Sequence, residues 1–208
     1  MRKPPNPSLA IFVFGLILIC MFLWIRHSFQ RIETADIGAD IKKEIWRQIG
    51  LLEKLCISTN DIDYIFDTGR PQISYLRFVG KPSVPMLIKV LSDKKRDWKL
   101  RFIIAQLLSK MESKKAIAPL ITILKDETEM QNIRVASAIA MGTLKFDEVI
   151  PPLMETAGGN DHQLQLAAIY ALGELRKEQI VNEFKKWKDK EKDVQIKKEL
   201  DLAIAKFQ

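Results

Sequence analysis

From Leu100 to the C-terminus, apolar side chains return at three- and four-residue steps, the period of a helix with one buried face. That pattern itself recurs. Four segments align: RFIIAQLLSKM (Arg101–Met111), RVASAIAMGTL (Arg134–Leu144), QLAAIYALGEL (Gln165–Leu175) and KKELDLAIAKF (Lys197–Phe207). Each has a small residue in its ninth place: Ser109, Gly142, Gly173 and Ala205, at intervals of 33, 31 and 32 residues. Two places later stands a large apolar residue, and two places earlier stand Leu107, Ala140, Ala171 and Ala203. A second apolar helix precedes each segment, starting near proline in VPMLIKVL, APLITIL and PPLME, with IVNEFKKW as the fourth counterpart. Proline fits the first turn of a helix, where its missing N–H leaves no bond unmade. A period near 32 with two helices per unit predicts an α-solenoid. The small column predicts close approach between neighbouring helices, since Gly in a helix costs about 1 kcal/mol relative to Ala.

The pattern divides the chain further. Residues 81–208 hold four units, at about 81–114, 115–147, 148–177 and 178–208. Residues 41–80 read as a degenerate first unit that caps the array. There Ile41, Ile45, Trp46, Ile49, Leu52 and Leu55 predict a helix capped by Asp40. Thr59 or Asn60 is expected to cap a short second helix ending at Gly69, and Pro71 opens a third ending at Gly80. Leu9 to Ile25 is a run of seventeen residues without a charge, which predicts a transmembrane helix over 8–26 behind a basic tail at 1–7 and before a linker at 27–40. Trp24 and Arg26 suit its boundary. The expected location is therefore a membrane, crossed once, with the bacterial inner membrane as the setting and the side of the array left open.

With the periodicity in view, AAIYALGEL (Ala167–Leu175) preceded by IPPLMET (Ile150–Thr156) resembles the HEAT-type repeat of the subclass named after phycobilisome lyases. The resemblance covers roughly Gly80 to Gln208. It implies an all-α fold, an α-solenoid of HEAT-like helical hairpins, here preceded by one transmembrane helix. It also implies an Asp in the inter-helix turn and a basic residue early in the second helix. Asp93 with Arg101, Asp126 with Arg134 and Asp189 with Lys197 match, eight residues apart in each pair. The third unit has a shortened GGND turn and Gln165 in place of the basic residue, so the expected Asp–Arg ladder is interrupted there. The relatives so named include lyases that attach bilin chromophores to antenna proteins, an enzymatic reading weighed below.

Composition adds limits. Apolar content of 47% excludes wholesale disorder. The net charge of +7 is uneven, with a basic N-terminus, a slightly acidic stretch at 32–80 and a basic surplus beyond it. That surplus fits an anionic partner, whether protein, lipid headgroup or nucleic acid, and equally fits solubility alone. Cys20 and Cys56 form no motif, and the two histidines, His27 and His162, build no catalytic arrangement. There is no P-loop, GxGxxG or metal-ligand spacing. The reading is then a non-enzymatic, cofactor-free interaction scaffold or accessory subunit held at a membrane, with other membrane proteins as partners. Lys94, Lys95, Arg96, Lys99, Arg101, Arg134, Gln165 and Lys197 are the candidate partner-binding residues. The alternatives are a basic face that binds nucleic acid or anionic lipid, and a bilin-lyase-like enzyme. Nucleic acid is disfavoured by the acids scattered among the bases.

Overall fold

The computed structural model describes residues 38–207. Contacts divide the chain into Met1–Ala39 and Asp40–Gln208, and the helical array belongs to the second unit. Eleven α-helices occur among the described residues, with no strand. The first three are α1 (Ala39–Ser58), α2 (Ile62–Thr68) and α3 (Arg70–Val79). Then come four pairs: α4 (Val84–Ser92) with α5 (Trp98–Lys110), α6 (Ile117–Lys125) with α7 (Gln131–Leu144), α8 (Ile150–Ala157) with α9 (His162–Leu175), and α10 (Glu178–Lys190) with α11 (Val194–Ala205).

The helix starts follow from side-chain chemistry. Asp61 accepts from the Tyr64 N–H and caps α2, in place of the expected Thr59 or Asn60. Asp97, Asp161 and Asp193 cap α5, α9 and α11 in the same way. Proline sits in the first turn of α3, α4 and α8. The stops share a second device. Glu112, Lys145 and Arg176 each lie three residues past the small position and take positive φ, 50°, 57° and 50°. Gly80, at φ 69°, stands in the corresponding place ahead of the first pair. A left-handed residue turns the chain out of one unit and into the short 3-10 turn that opens the next, at Lys81–Ser83, Lys114–Ala116 and Asp147–Val149.

Each first helix packs on its own second helix, and the second helices α5, α7, α9 and α11 pack side by side in one layer. The small column makes that layer possible. A Cβ on Gly142 would lie 2.6 Å from Cα and 2.7 Å from the carbonyl oxygen of Ala171. One on Gly173 would lie 2.9 Å from Cβ of Ala203. Each glycine therefore meets the alanine two places before the next small residue. Leu107, Ala140, Ala171, Leu175 and Ala203 are buried along this seam, and Leu87, Leu120, Leu153 and Phe184 fill the space between layers. At the N-terminal end Ile45, Ile49, Leu52 and Cys56 form the buried stripe of α1.

The transmembrane helix expected at 8–26, with its tail and linker, lies outside the described residues. Among the described residues no helix is long and apolar enough to cross a membrane. The described residues therefore give the single-pass membrane location expected from the sequence no support: α1, at 20 residues, is the longest of these helices, and it is amphipathic, with acids and bases along its exposed side.

Candidate ligand-binding face

Of the residues expected to meet a partner, Lys99 and Arg101 are buried, Lys94 and Lys95 are exposed and the other four are half-buried, and most of them bond within the array. Arg101 is only 1% exposed. Its Nε donates to the Leu91 carbonyl at 2.7 Å, and its two terminal nitrogens donate to Glu129 at 3.0 and 2.5 Å. Arg134 Nε donates to the Leu124 carbonyl at 3.0 Å, and Gln165 Nε2 reaches the Ala157 carbonyl at 3.5 Å. The same device recurs in three units: a side chain early in the second helix satisfies a carbonyl at the end of the first, which the helix itself leaves open. The expected Asp–Arg ladder is corrected accordingly. Asp93 pairs with Arg96 at 3.5 Å, and Asp126 pairs with Lys94 at 2.6 Å, while the arginines bond backbone and Glu129.

Lys99 is buried, with Nζ on the Thr59 carbonyl at 2.8 Å and Asn60 Oδ1 at 3.1 Å, and ties α5 to the end of α1. Arg96 reaches Glu53 on α1 at 2.5 Å. Lys94 also donates to Thr128 at 2.7 Å in the next turn. Its ammonium, with the Thr128 hydroxyl and N–H, pulls Asp126 down to about 2. Of the eight candidates, the exposed Lys95 and the half-buried Lys197 make no side-chain bond among the described residues. The set does not converge on one surface.

A different set does. In the second, sixth and tenth places of each aligned segment fall residues four apart, on one helix face. In α5 these are Phe102, Gln106 and Lys110; in α7, Val135, Ile139 and Thr143; in α9, Leu166, Tyr170 and Glu174. In α11 and just past it they are Lys198, Leu202 and Lys206. All are half-buried or exposed. Tyr170 is 40% and Leu202 51% exposed. Lys206 lies 4.2 Å above the Tyr170 ring and bonds Glu174 at 2.7 Å, which fixes the register between the last two second helices. The outcome is an apolar and aromatic stripe across the second-helix layer. Its signal lies in the aligned segments, at positions flanking the small column.

At its N-terminal end the stripe runs into a cleft of about 100 Å³ between α2, α3 and α5. Phe66, Ile73, Ile103 and Leu107 give it an apolar lining; Ser74, Gln106, Arg77 and Lys110 give it polar groups, and no acid lines it. A larger open hollow of about 550 Å³ at the C-terminal end is lined by acids as well as bases, and Lys188 and Asp201 pair within it. Cys56 is buried, which pushes its thiol up to about 12 and leaves it a poor nucleophile at neutral pH. His162 Nε2 lies 3.4 Å from Asp193, a half-exposed contact between α9 and the cap of α11. Among the described residues no group of three His, Cys, Asp or Glu side chains is placed to hold a metal ion.

No family model matches the chain, and no curated protein matches it in sequence. Its fold matches solved structures. One is the complex of CpcE and CpcF of phycocyanin lyase from Nostoc sp. PCC7120: TM-score 0.59, 18% identity, covering 76% of this chain and 96% of that one. At that identity the likeness shows the fold, and the array is a HEAT-like helical repeat. The likeness also corrects two expectations. The same fold occurs in a phycocyanin lyase structure, so an all-helical array of this kind is no ground for a non-catalytic membrane scaffold or for excluding an enzyme.

Proposed function

We propose that this chain is bilin-lyase-like: a HEAT-like subunit that holds a linear tetrapyrrole for attachment to an acceptor protein. The observation that carries the reading is the fold match to a phycocyanin lyase structure across 96% of the matched chain. The surface chemistry supports it. A bilin is a flat conjugated chain with carboxylate arms. It calls for apolar and aromatic contact along its length and cations at its edge. The stripe supplies Phe102, Ile139, Leu166, Tyr170 and Leu202, with Lys110 at its margin. As the matched structure is a complex of two proteins, the reading includes a second subunit as partner.

Absorbance titration tests this. Phycocyanobilin added to the purified full chain, alone and with a candidate second subunit, is expected to show a red-shifted, intensified long-wavelength band. Transfer to an acceptor apoprotein should then leave colour that survives denaturation. Spectra identical to those of free bilin at every protein concentration would rule the reading out.

A further inference from the structure

We infer that the cleft between α2, α3 and α5 is a carboxylate-anchoring subsite, taking a propionate arm of a linear tetrapyrrole whose conjugated body lies on the adjoining stripe; the inference rests on the bilin-lyase-like reading. Charge complementarity carries it. Arg77 and Lys110 line the same small cleft, from α3 and from the end of α5. Many cations of the array are engaged, among them Arg96 with Glu53, Arg101 with Glu129, Lys94 with Asp126, Lys125 with Glu155, Lys177 with Asp147 and Lys206 with Glu174, while others, such as Lys95 and Lys197, line neither hollow. Arg77 and Lys110 have no such partner among the described residues, and no acid shares their cleft.

The dimensions select what enters. The cleft is small, about 100 Å³, on the scale of a carboxylate with the methylenes that carry it. Phe66, Ile73, Ile103 and Leu107 suit those methylenes, and Ser74 and Gln106 add hydrogen-bonding groups beside the charge. Arg77 offers a planar fork that matches a carboxylate with two parallel hydrogen bonds, while Lys110 offers a point charge. The rest of the ligand is directed outward. Gln106 and Lys110 belong both to the cleft and to the face that continues through Ile139 to Tyr170. An amphipathic acid held in the cleft therefore has an apolar path along the second-helix layer.

The test uses the full chain with phycocyanobilin and its dimethyl ester, in which the carboxylates are masked. Replacing both Arg77→Gln and Lys110→Gln is expected to weaken binding of the free acid about tenfold or more, with unchanged helical circular dichroism. The ester should bind wild type and the double variant alike, and Lys110→Arg should keep wild-type affinity. If the double variant binds the free acid as tightly as wild type does, the subsite is wrong while the lyase-like reading stands. If wild type binds neither acid nor ester, both fall together.

Discussion

Arg101 shows what one buried charge does in a repeat array. It lies in α5, bonds the end of α4 through Leu91 and reaches into the next turn to Glu129, so one side chain links two units. Removing one member of such a pair leaves the other charged, buried and unmatched. Arg101→Met is expected to cost about 3–5 kcal/mol, read from urea denaturation, whereas replacing Arg101 and Glu129 together by Met should recover most of that loss. A double variant as unstable as the single one would show that the Leu91 carbonyl, not the ion pair, carries the effect. The pair also sets a pH dependence. Burial pushes the Glu129 carboxyl up, but the Arg101 guanidinium and the Met130 N–H outweigh it and hold the group below its ordinary value. A carboxyl depressed in the folded state stabilises the fold above its unfolded pKa, and that contribution fades as pH falls through the folded value. The stability gap between wild type and Glu129→Gln should therefore narrow as pH falls from about 5 toward 3. A gap constant over that window would mean that Glu129 acts by packing alone.

At the scale of the helix, the close seam between second helices gives a sharp contrast between two glycines. Gly142→Ala adds a methyl within 2.6 Å of the Ala171 backbone, which cannot rotate away. The gain of about 1 kcal/mol in helix propensity should be overwhelmed, leaving a net loss of about 1–3 kcal/mol. Gly50 in α1 has nothing within 4 Å of an added Cβ, so Gly50→Ala should gain up to about 1 kcal/mol. Equal effects at both sites in thermal unfolding would refute the seam. The unit ends give another test. Lys145 and Arg176 sit in the left-handed region, where a side chain costs about 1–2 kcal/mol per residue, so Lys145→Gly should stabilise by about 1 kcal/mol. A decrease in melting temperature would mean that the Lys145 side chain holds the turn. The seam was legible because small residues are chemically distinct from their neighbours in the aligned segments. The left-handed position was not, because Gly80, Glu112, Lys145 and Arg176 share a positive φ and no side-chain chemistry. The same holds for the tethers. Arg101, Arg134 and Gln165 bond backbone carbonyls, and a carbonyl leaves no mark in a sequence, so the turn aspartates looked like the partners.

At the scale of the whole molecule, the all-helical repeat was legible from periodicity, while the functional face was not. The seam positions stand out by their small size, whereas Phe102, Ile139, Tyr170 and Leu202, on the open side of the same helices, share the apolar chemistry of core residues. The cleft was further out of reach, since Arg77 and Lys110 meet only when the degenerate first unit folds against α5. A solenoid of this kind also unfolds in a characteristic way. Each unit touches its neighbours and little else, so stability is close to a sum of unit and interface contributions. Removing residues 178–208 deletes α10 and α11 with the Phe184–Trp187 pair, whose ring centres lie 5.8 Å apart. It takes Ala203 off Gly173 and leaves one side of α9 uncovered. The remaining units keep their own seams, from α5 to α7 and from α7 to α9. The truncated chain is therefore expected to hold the helical circular dichroism of its remaining length, melt lower by on the order of 10 °C, and bind an apolar dye that the full chain does not. Phycocyanobilin should still bind it, weakened only by the loss of Leu202 and Lys206, because the cleft lies at the opposite end of the stripe. Collapse of all helical signal on truncation would show that the array folds as one indivisible unit. A stable truncated chain that has lost all bilin binding would move the ligand to the C-terminal pair.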